Sequence, residues 1–439
     1  MTMAIVPSRW QVRSAWNQSL SWMNTCQGTL TFGEPFFMAA GRRKTHPHRS
    51  LSDVRNALVV RLDDVGDMVL SSPFVRELRK TLPTAHITLV VKPSVHNLVE
   101  RCPYVNEVLT YDPGPLGETA TTERMWRTIR FSAHYLWRRR IDLAIVPRWD
   151  ADLYHASFVA YWSGAWWRVG YSEQVIEHKR AMNRGFDQLF SEVMTDVAIK
   201  HEVERGLNLL RLMGGVVEDD SLELWQTEAD QIKTQRLLQA HGLHEEDLLI
   251  AFAPGASSDT RRWPTDNFSK LGKWLLHEYR ARIVLIGTHE EKPLGKNIQH
   301  TLGQGVINAM GETSLRELGV LLRRCTLYVG NDTGPMHMAA AAGVPVVEIS
   351  CHPINGNSGL ANSPRRFGPW EVGAEVVQPQ QAAAGCREAC ISTTAHCICQ
   401  VEVRRVREAV GRLLQKCQPR VSSSAGAIAS IQTNRQACS

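Results

Sequence analysis

The sequence predicts an α/β protein made of two doubly wound parallel-sheet domains in tandem. Three observations predict it. From Asn56 onward, short β-branched and aliphatic runs alternate with amphipathic helical stretches. The alternation pauses in an acidic stretch around Gly214–Glu223 and restarts at Leu248. Leu327–Ser350, LYVGNDTGPMHMAAAAGVPVVEIS, compresses strand, sharp turn, small-residue helix and second strand into one unit. Such a unit points backbone N–H groups and a positive dipole end at the carboxyl edge of a parallel sheet, where phosphates bind.

Asn56–Leu62 reads as a buried strand, Asp63–Asp67 as a turn, and Met68–Thr81 as a helix with Leu70, Phe74 and Leu78 on one face. His86–Val91 and Asn106–Tyr111 follow as strands. Glu123–Arg140 reads as a helix placing Trp126, Ile129, Ala133, Leu136 and Trp137 on one side and arginines around the rest. Ile141–Val146 is the next strand, and a helix forms around His201–Met213. Strands then recur at Leu248–Ala253, Arg282–Gly287, Val306–Met310, Leu327–Gly330 and Val344–Ile349. In Leu327–Ser350, Asp332 or Thr333 can cap the helix, Pro335 suits its first turn and Gly343 ends it. The domain plan is a poorly ordered basic, Trp-bearing extension (1–54), a first domain (55–220), a second domain (221–400), a closing basic helix (401–418) and a disordered tail (419–439).

Composition narrows the function classes. At 439 residues the chain is long enough for two cores, and 43% hydrophobic with 21% charged residues is ordinary for a globular protein. The net charge of +6 sits at the ends: 1–55 and 400–439 each hold seven Lys/Arg and two acids, so 36 of the 50 basic and 40 of the 44 acidic residues fall between them. That balance argues against a nucleic-acid-binding body. No run approaches a membrane span, and the N-terminus lacks a signal-peptide pattern, so a cytoplasmic protein is expected. Cys386, Cys390, Cys397 and Cys399 cluster with His396 in a pattern open to zinc or a disulfide. Their spacing does not match paired CxxC zinc motifs, and no metal is expected.

Chemistry-bearing residues gather at predicted strand ends. Gly66-Asp67 follows the first strand, where Asp67 is either a general base toward a bound hydroxyl or a first-turn carboxylate favoured by the helix dipole. No GxGxxG follows that strand, which argues against a dinucleotide site. Arg261-Arg262 follow Ala253-Pro254-Gly255-Ala256 and suit a diphosphate, or else a solvated surface. Glu290-Glu291 close the next strand within reach of a ribose. Asp332 is placed for sugar hydroxyls, while His337 contacts phosphate or packs. Arg124 and Arg127, with Trp126, make the Glu123–Arg140 helix either a basic surface for an anionic ligand at a membrane or an ordinary packed helix.

The quoted segments resemble glycosyltransferase family 9, the lipopolysaccharide heptosyltransferases, over roughly residues 56–415. The resemblance is carried by LVVRLDDVGDMVLSSPFVRELRKTLPTAHITLVVKP (Leu58–Pro93), WWRVGY (Trp166–Tyr171), APGASSDTRRWP (Ala253–Pro264), VLIGTHEE (Val284–Glu291), YVGNDTGPMHMAAAAGVPVV (Tyr328–Val347), SPRRFGPW (Ser363–Trp370) and the Cys-bearing segment before the last helix. It implies a GT-B fold, two Rossmann-like domains facing a central cleft, with the last helix crossing back toward the first. It implies an inverting, metal-independent transfer of heptose from ADP-heptose to an anionic lipid-linked saccharide, without cofactor, at the cytoplasmic face of the inner membrane. Asp67 becomes the base beside Gly66. Arg261, at a position often Lys, contacts the diphosphate, and Glu290 or Glu291 holds the ribose. Asp332 binds the transferred sugar, and the Thr333 and Gly334 backbone with His337 binds phosphate. Two alternatives stay open: a GT-B enzyme using another nucleotide sugar, and a non-catalytic nucleotide-sugar-binding protein.

Overall fold

The computed structural model describes residues 26–39, 50–114, 121–388 and 390–417. The described residues divide into two compact units. The first takes in those up to Asp64, with Pro73–Ala198 and Glu202–Asp220. The second takes in Val65–Ser72, Ile199–His201 and those from Ser221 onward.

The first unit is a six-stranded parallel sheet built from β1 (Asn56–Arg61), β2 (His86–Val91), β3 (Glu107–Thr110), β4 (Leu143–Val146), β5 (Trp167–Tyr171) and β6 (Glu192–Met194), in the order β3-β2-β1-β4-β5-β6. Leu58, Val60, Val90, Ala144 and Val146 are buried in one cluster with Val159 and Ala160 from a covering helix. Strands covered on both faces read as the near-continuous apolar runs that the sequence shows.

Two features of this unit differ from expectation. Residues 26–39, inside the stretch expected to be poorly ordered, form a helix. Its Phe37 is fully buried against Tyr161, Trp162 and Trp137, partners too remote in sequence for local periodicity to reveal. The expected Glu123–Arg140 helix is α-helical over Thr121–Phe131, then widens to a π-turn at Ser132–Leu136 and tightens at Trp137–Arg139. The widened turn rotates the helix face, so Leu136 is buried while Trp126, expected to pack, is 64% exposed. The Asp63-Asp64 pair is also more than turn chemistry. Buried Asp63 lies 3.1 Å from Arg61 and also pairs with Arg148, and Asp64 pairs with Lys92.

The second unit repeats the plan with β7 (Leu249–Ala253), β8 (Arg282–Leu285), β9 (Val306–Asn308), β10 (Leu327–Asn331), β11 (Val346–Ile349) and β12 (Ala374–Val377), in the order β12-β11-β10-β7-β8-β9, all parallel. Numbered within each unit, both sheets have the order 3-2-1-4-5-6 of a Rossmann fold. The terminal helix Val403–Cys417 buries Val406, Ala409, Val410, Leu413 and Leu414 in this unit's own core. Residues 419–439, expected to be a disordered tail, lie outside the described residues, as does residue 418.

Candidate active site

In a 3-2-1-4-5-6 sheet, the chain runs outward in opposite directions from strands 1 and 4, leaving a crevice beyond their carboxyl ends. In the second unit those strands are β7 and β10, and their register aligns Ala253 with Gly330. The turns Pro254-Gly255 and Asn331-Asp332 therefore open into the same crevice. Asn331 stitches them together. Fully buried, it donates from Nδ2 to the carbonyls of Pro254 (2.9 Å) and Gly255 (3.0 Å) and accepts the Trp263 N–H on Oδ1 (3.1 Å). The sequence reading took Asn331 only as a turn residue. Its fixed place after an all-buried strand was the available signal.

The loop that Asn331 holds delivers Arg261. Its Nη2 donates to Oδ2 of Asp332, a residue 4% exposed on the neighbouring turn. Asp332 raises the Arg261 guanidinium above its ordinary range, chiefly through its negative charge, and the Nε of Arg261 has no hydrogen-bond partner within the protein. The residues assigned separately to diphosphate and sugar are thus joined as one ion pair. On β11 beside them, Glu348 is 1% exposed. Burial, and then the charge of Asp332, push its carboxyl well above the usual carboxylate range. Sequence reasoning missed Glu348, which sits inside an apolar strand.

Glu291 and Glu290, left as alternatives by the sequence, sit differently. Glu291 Oε2 accepts the Thr288 N–H at 2.9 Å, and its carboxylate lies against Gly255; a Cβ on Gly287 would meet Oε2 at 2.6 Å. It therefore sits at the crevice edge between the β7 and β8 turns, whereas Glu290 is exposed.

The helix Gly334–Ala341 begins after extended Thr333, with Pro335 in its first turn. Its N-terminal N–H groups open beside Asp332. His337, one turn in, is 4% exposed and its Nδ1 lacks a partner. Burial first, then His201 and Arg261, push its pKa down to about 3. The ring packs against the first turn of the Val65–Leu70 helix: a Cβ on Gly66 would lie 2.6 Å from His337 Cδ2, and one on Gly334 would lie 3.1 Å from the Val65 Cβ. Only glycines permit that approach. It explains why Val65–Ser72, assigned by sequence to the first domain, groups with the second unit. Half-buried Asp67, in the first turn of the Val65–Leu70 helix, is carried toward the turn at Thr333-Gly334 by this contact.

The neutral His337 has a consequence for stability. Its unfolded-state pKa is about 6.5 and its folded value is depressed, so above that pH it is neutral in both states and costs nothing. As pH falls from about 6.5 toward 3, the unfolded chain takes up a proton that the folded chain refuses, and stability is lost. Lowering the pH from 7.5 to 5 is expected to remove about 2 kcal/mol through this group. Urea midpoints at the two pH values measure it, and His337→Gln is expected to show a shallower dependence. His155 in the first unit, held down to about 4 chiefly by burial, acts in the same direction.

Arg124 and Arg127, expected on the acceptor side, belong to the first unit. Arg124 is 4% exposed, with burial lowering its guanidinium, and it reaches the Leu153 carbonyl at 3.4 Å. Arg127 is exposed and gives two bonds to Glu123, at 3.0 and 2.7 Å. The same unit has an open cavity of about 490 Å³ lined by Lys92, Ser94, Asp112, Gly114 and Tyr154.

The family model for glycosyltransferase family 9 (heptosyltransferase) matches residues 136–394. Lipopolysaccharide heptosyltransferase 2 of Salmonella typhimurium is 26% identical over 299 residues, covering 66% of this chain and 81% of that protein. The enzyme of the same name from Escherichia coli is 27% identical over 298 residues, with the same coverage. Among solved structures, the family 9 glycosyl transferase of Veillonella parvula superposes with a TM-score of 0.68 at 21% identity, covering 84% of this chain and 98% of that one. The E. coli ADP-heptose LPS heptosyltransferase II gives 0.61 at 24%, covering 82% and 98%. The shared fold is GT-B, with its two Rossmann-like units. The family match spans more than half of the sequence and includes the crevice residues Arg261, Glu291, Asp332 and His337. The chain belongs to glycosyltransferase family 9, the heptosyltransferase family, and is a glycosyltransferase.

Proposed function

We propose that the protein transfers a heptose from ADP-heptose to the core of lipopolysaccharide or a related anionic lipid-linked saccharide, inverting the anomeric centre without a catalytic metal. The observation that carries this reading is the packing of Gly66-Asp67 onto the helix that starts at Thr333-Gly334. It brings the helical turn that bears Asp67 to a helix N-terminus, an end that suits an anion.

Asp67 removes the proton of the acceptor hydroxyl as its oxygen bonds to the anomeric carbon from the face opposite the diphosphate. The bond from that carbon to the diphosphate oxygen breaks, and ADP departs with its electron pair. The Thr333 and Gly334 N–H groups, the helix dipole and Arg261 stabilise the charge that develops on it. Glu291 holds the ribose, and Asp332 holds the sugar while orienting Arg261. A guanidinium and a helix N-terminus supply the positive charge that a divalent ion provides elsewhere.

The test is a thermal-shift screen followed by a transfer assay. ADP is expected to raise the melting midpoint where UDP and GDP do not, since saturating a folded-state site at about 100 times Kd adds about 2.7 kcal/mol. ADP-heptose plus a deacylated core acceptor is expected to give product of inverted configuration by NMR with no added Mg²⁺ or Mn²⁺. A midpoint raised only by UDP or GDP would replace the donor. Nucleotide binding without turnover on any core acceptor would favour a binding protein.

The acceptor places the enzyme at the cytoplasmic face of the inner membrane. Among the described residues no helix is long and apolar enough to cross a membrane. Peripheral contact is supported by the 26–39 helix, which leaves Phe32 and Met38 exposed at 74% and 67%. The protein is expected to float with phosphatidylethanolamine/phosphatidylglycerol vesicles, and a Phe32→Ser, Met38→Ser variant to stay in the soluble fraction. Equal flotation of both would remove the helix from that role.

A further inference from the structure

Between β12 and the terminal helix, the chain forms a loop whose side chains the transfer reaction does not use. Cys386 Sγ lies 3.0 Å and Cys390 Sγ 4.0 Å from His396 Nε2, and the three atoms all lie within 4.8 Å of one another. Zinc bonded to sulfur at about 2.3 Å and to nitrogen at about 2.0 Å sets tetrahedral edges of about 3.8 Å between sulfurs and about 3.5 Å from sulfur to nitrogen. The observed separations bracket that figure. The imidazole is oriented for the task. Its other nitrogen, Nδ1, lies 3.1 Å from the Thr394 carbonyl, which can only accept. Nδ1 therefore carries the proton, and Nε2 turns its lone pair to the thiols, the arrangement that outer partners impose on metal-bound histidines. Both cysteines are free, and buried Cys397 lies against Cys386 while its Sγ accepts the Ala383 N–H at 3.3 Å.

We propose that Cys386, Cys390 and His396 bind one soft divalent transition metal of the zinc class as a structural site, with Cys397, which interacts with Cys386, the neighbouring thiol able to complete the set. Two or three thiolates and an imidazole favour such an ion over Mg²⁺ or Ca²⁺. The sequence spacing argued against a metal because it lacks paired CxxC motifs; the fold supplies the convergence that the spacing hides.

The site has a structural consequence. Directly after Cys397, Ile398 is fully buried in the second unit's core, and the Val401 carbonyl accepts the indole N–H of Trp263 at 2.8 Å. Trp263 is also the residue whose backbone Asn331 holds, two positions after Arg261. Metal binding staples the loop that braces the Arg261 segment from behind.

The experiment uses untagged full-length protein purified under reducing conditions. Elemental analysis is expected to find about one zinc per chain, falling below about a tenth in Cys390→Ser, because ligand loss abolishes structural zinc binding. Cys390 is exposed, so this variant tests the site without emptying the core, and the exposed Cys399→Ser variant is expected to keep its zinc. Cobalt(II) added to metal-stripped protein is expected to give the visible absorption of tetrahedral thiolate coordination, absent in Cys390→Ser and in His396→Ala. Wild type that neither carries metal nor takes up zinc or cobalt, or Cys390→Ser that retains full occupancy, would overturn the proposal. These readouts do not depend on sugar transfer, so failure of the donor assignment leaves them intact.

Discussion

Replacing Asp67 by Asn is expected to lower kcat for sugar transfer by about 10²–10⁴-fold while leaving the ADP-induced thermal shift nearly unchanged. The amide keeps the size of the side chain and its place in the first helical turn, but it cannot take a proton from the acceptor. Asp67→Ala is expected to lose as much activity. The measurement is initial rate at saturating donor and acceptor, paired with the melting midpoint to show that Gly66 still packs on His337. Full activity in Asp67→Asn would end the role of this carboxylate as base. A fall in ADP affinity matching the fall in rate would instead make it a donor-site residue.

Arg261→Ala is expected to have two separable effects. The guanidinium is the ion-pair partner of Asp332, whose side chain is 6% exposed. Removing it leaves a buried carboxylate uncompensated, expected to cost about 3 kcal/mol of stability. It also removes the fork that would face the diphosphate, so donor affinity falls as well. Adding Asp332→Asn is expected to restore most of the stability but none of the donor binding, because the neutral amide no longer needs a cation. Urea midpoints and ADP titrations on the two single variants and the double variant separate these contributions. Arg261→Lys is expected to retain stability better than donor affinity, since an ammonium keeps the charge and loses the bidentate geometry. If donor affinity recovered in the double variant, Arg261 would act only by neutralising Asp332.

Much of the architecture was legible before any coordinates. The strands are short, apolar and regularly separated by helical stretches, and parallel strands need such crossovers, so two doubly wound sheets follow from period and spacing alone. The turns that carry Asp67 and Asn331–Pro335 were legible for a related reason. Gly, Asp and Pro immediately after a buried strand are residues that a strand-to-helix turn demands locally, and the sheet's carboxyl edge is where such turns do chemistry.

Other features depend on partners far away along the chain. Arg261 and Asp332 are 71 positions apart and meet only because β7 and β10 are adjacent in register. Buried Glu348 looks like a strand residue, and its raised proton affinity follows from burial and from the charge of Asp332 on the turn after the neighbouring strand. The 26–39 helix has a weak pattern of its own and is held by aromatic rings more than a hundred residues away. The terminal helix shows an apolar stripe in the sequence, but nothing in that stripe says which sheet covers it.

By itself, then, the sequence determined what local backbone chemistry and periodicity can encode: two Rossmann-like units, the turns at their strand ends, and the residue types that suit a glycosyl-transfer site. Only the tertiary structure decided which of those residues touch. It joined Arg261 to Asp332, turned Glu291 rather than Glu290 to the crevice, seated His337 on Gly66 and drew two cysteines around one imidazole. The physical reason is that spacing records neighbours along a helix or strand, whereas charge pairing, burial and metal geometry depend on distances that sheet order and register set.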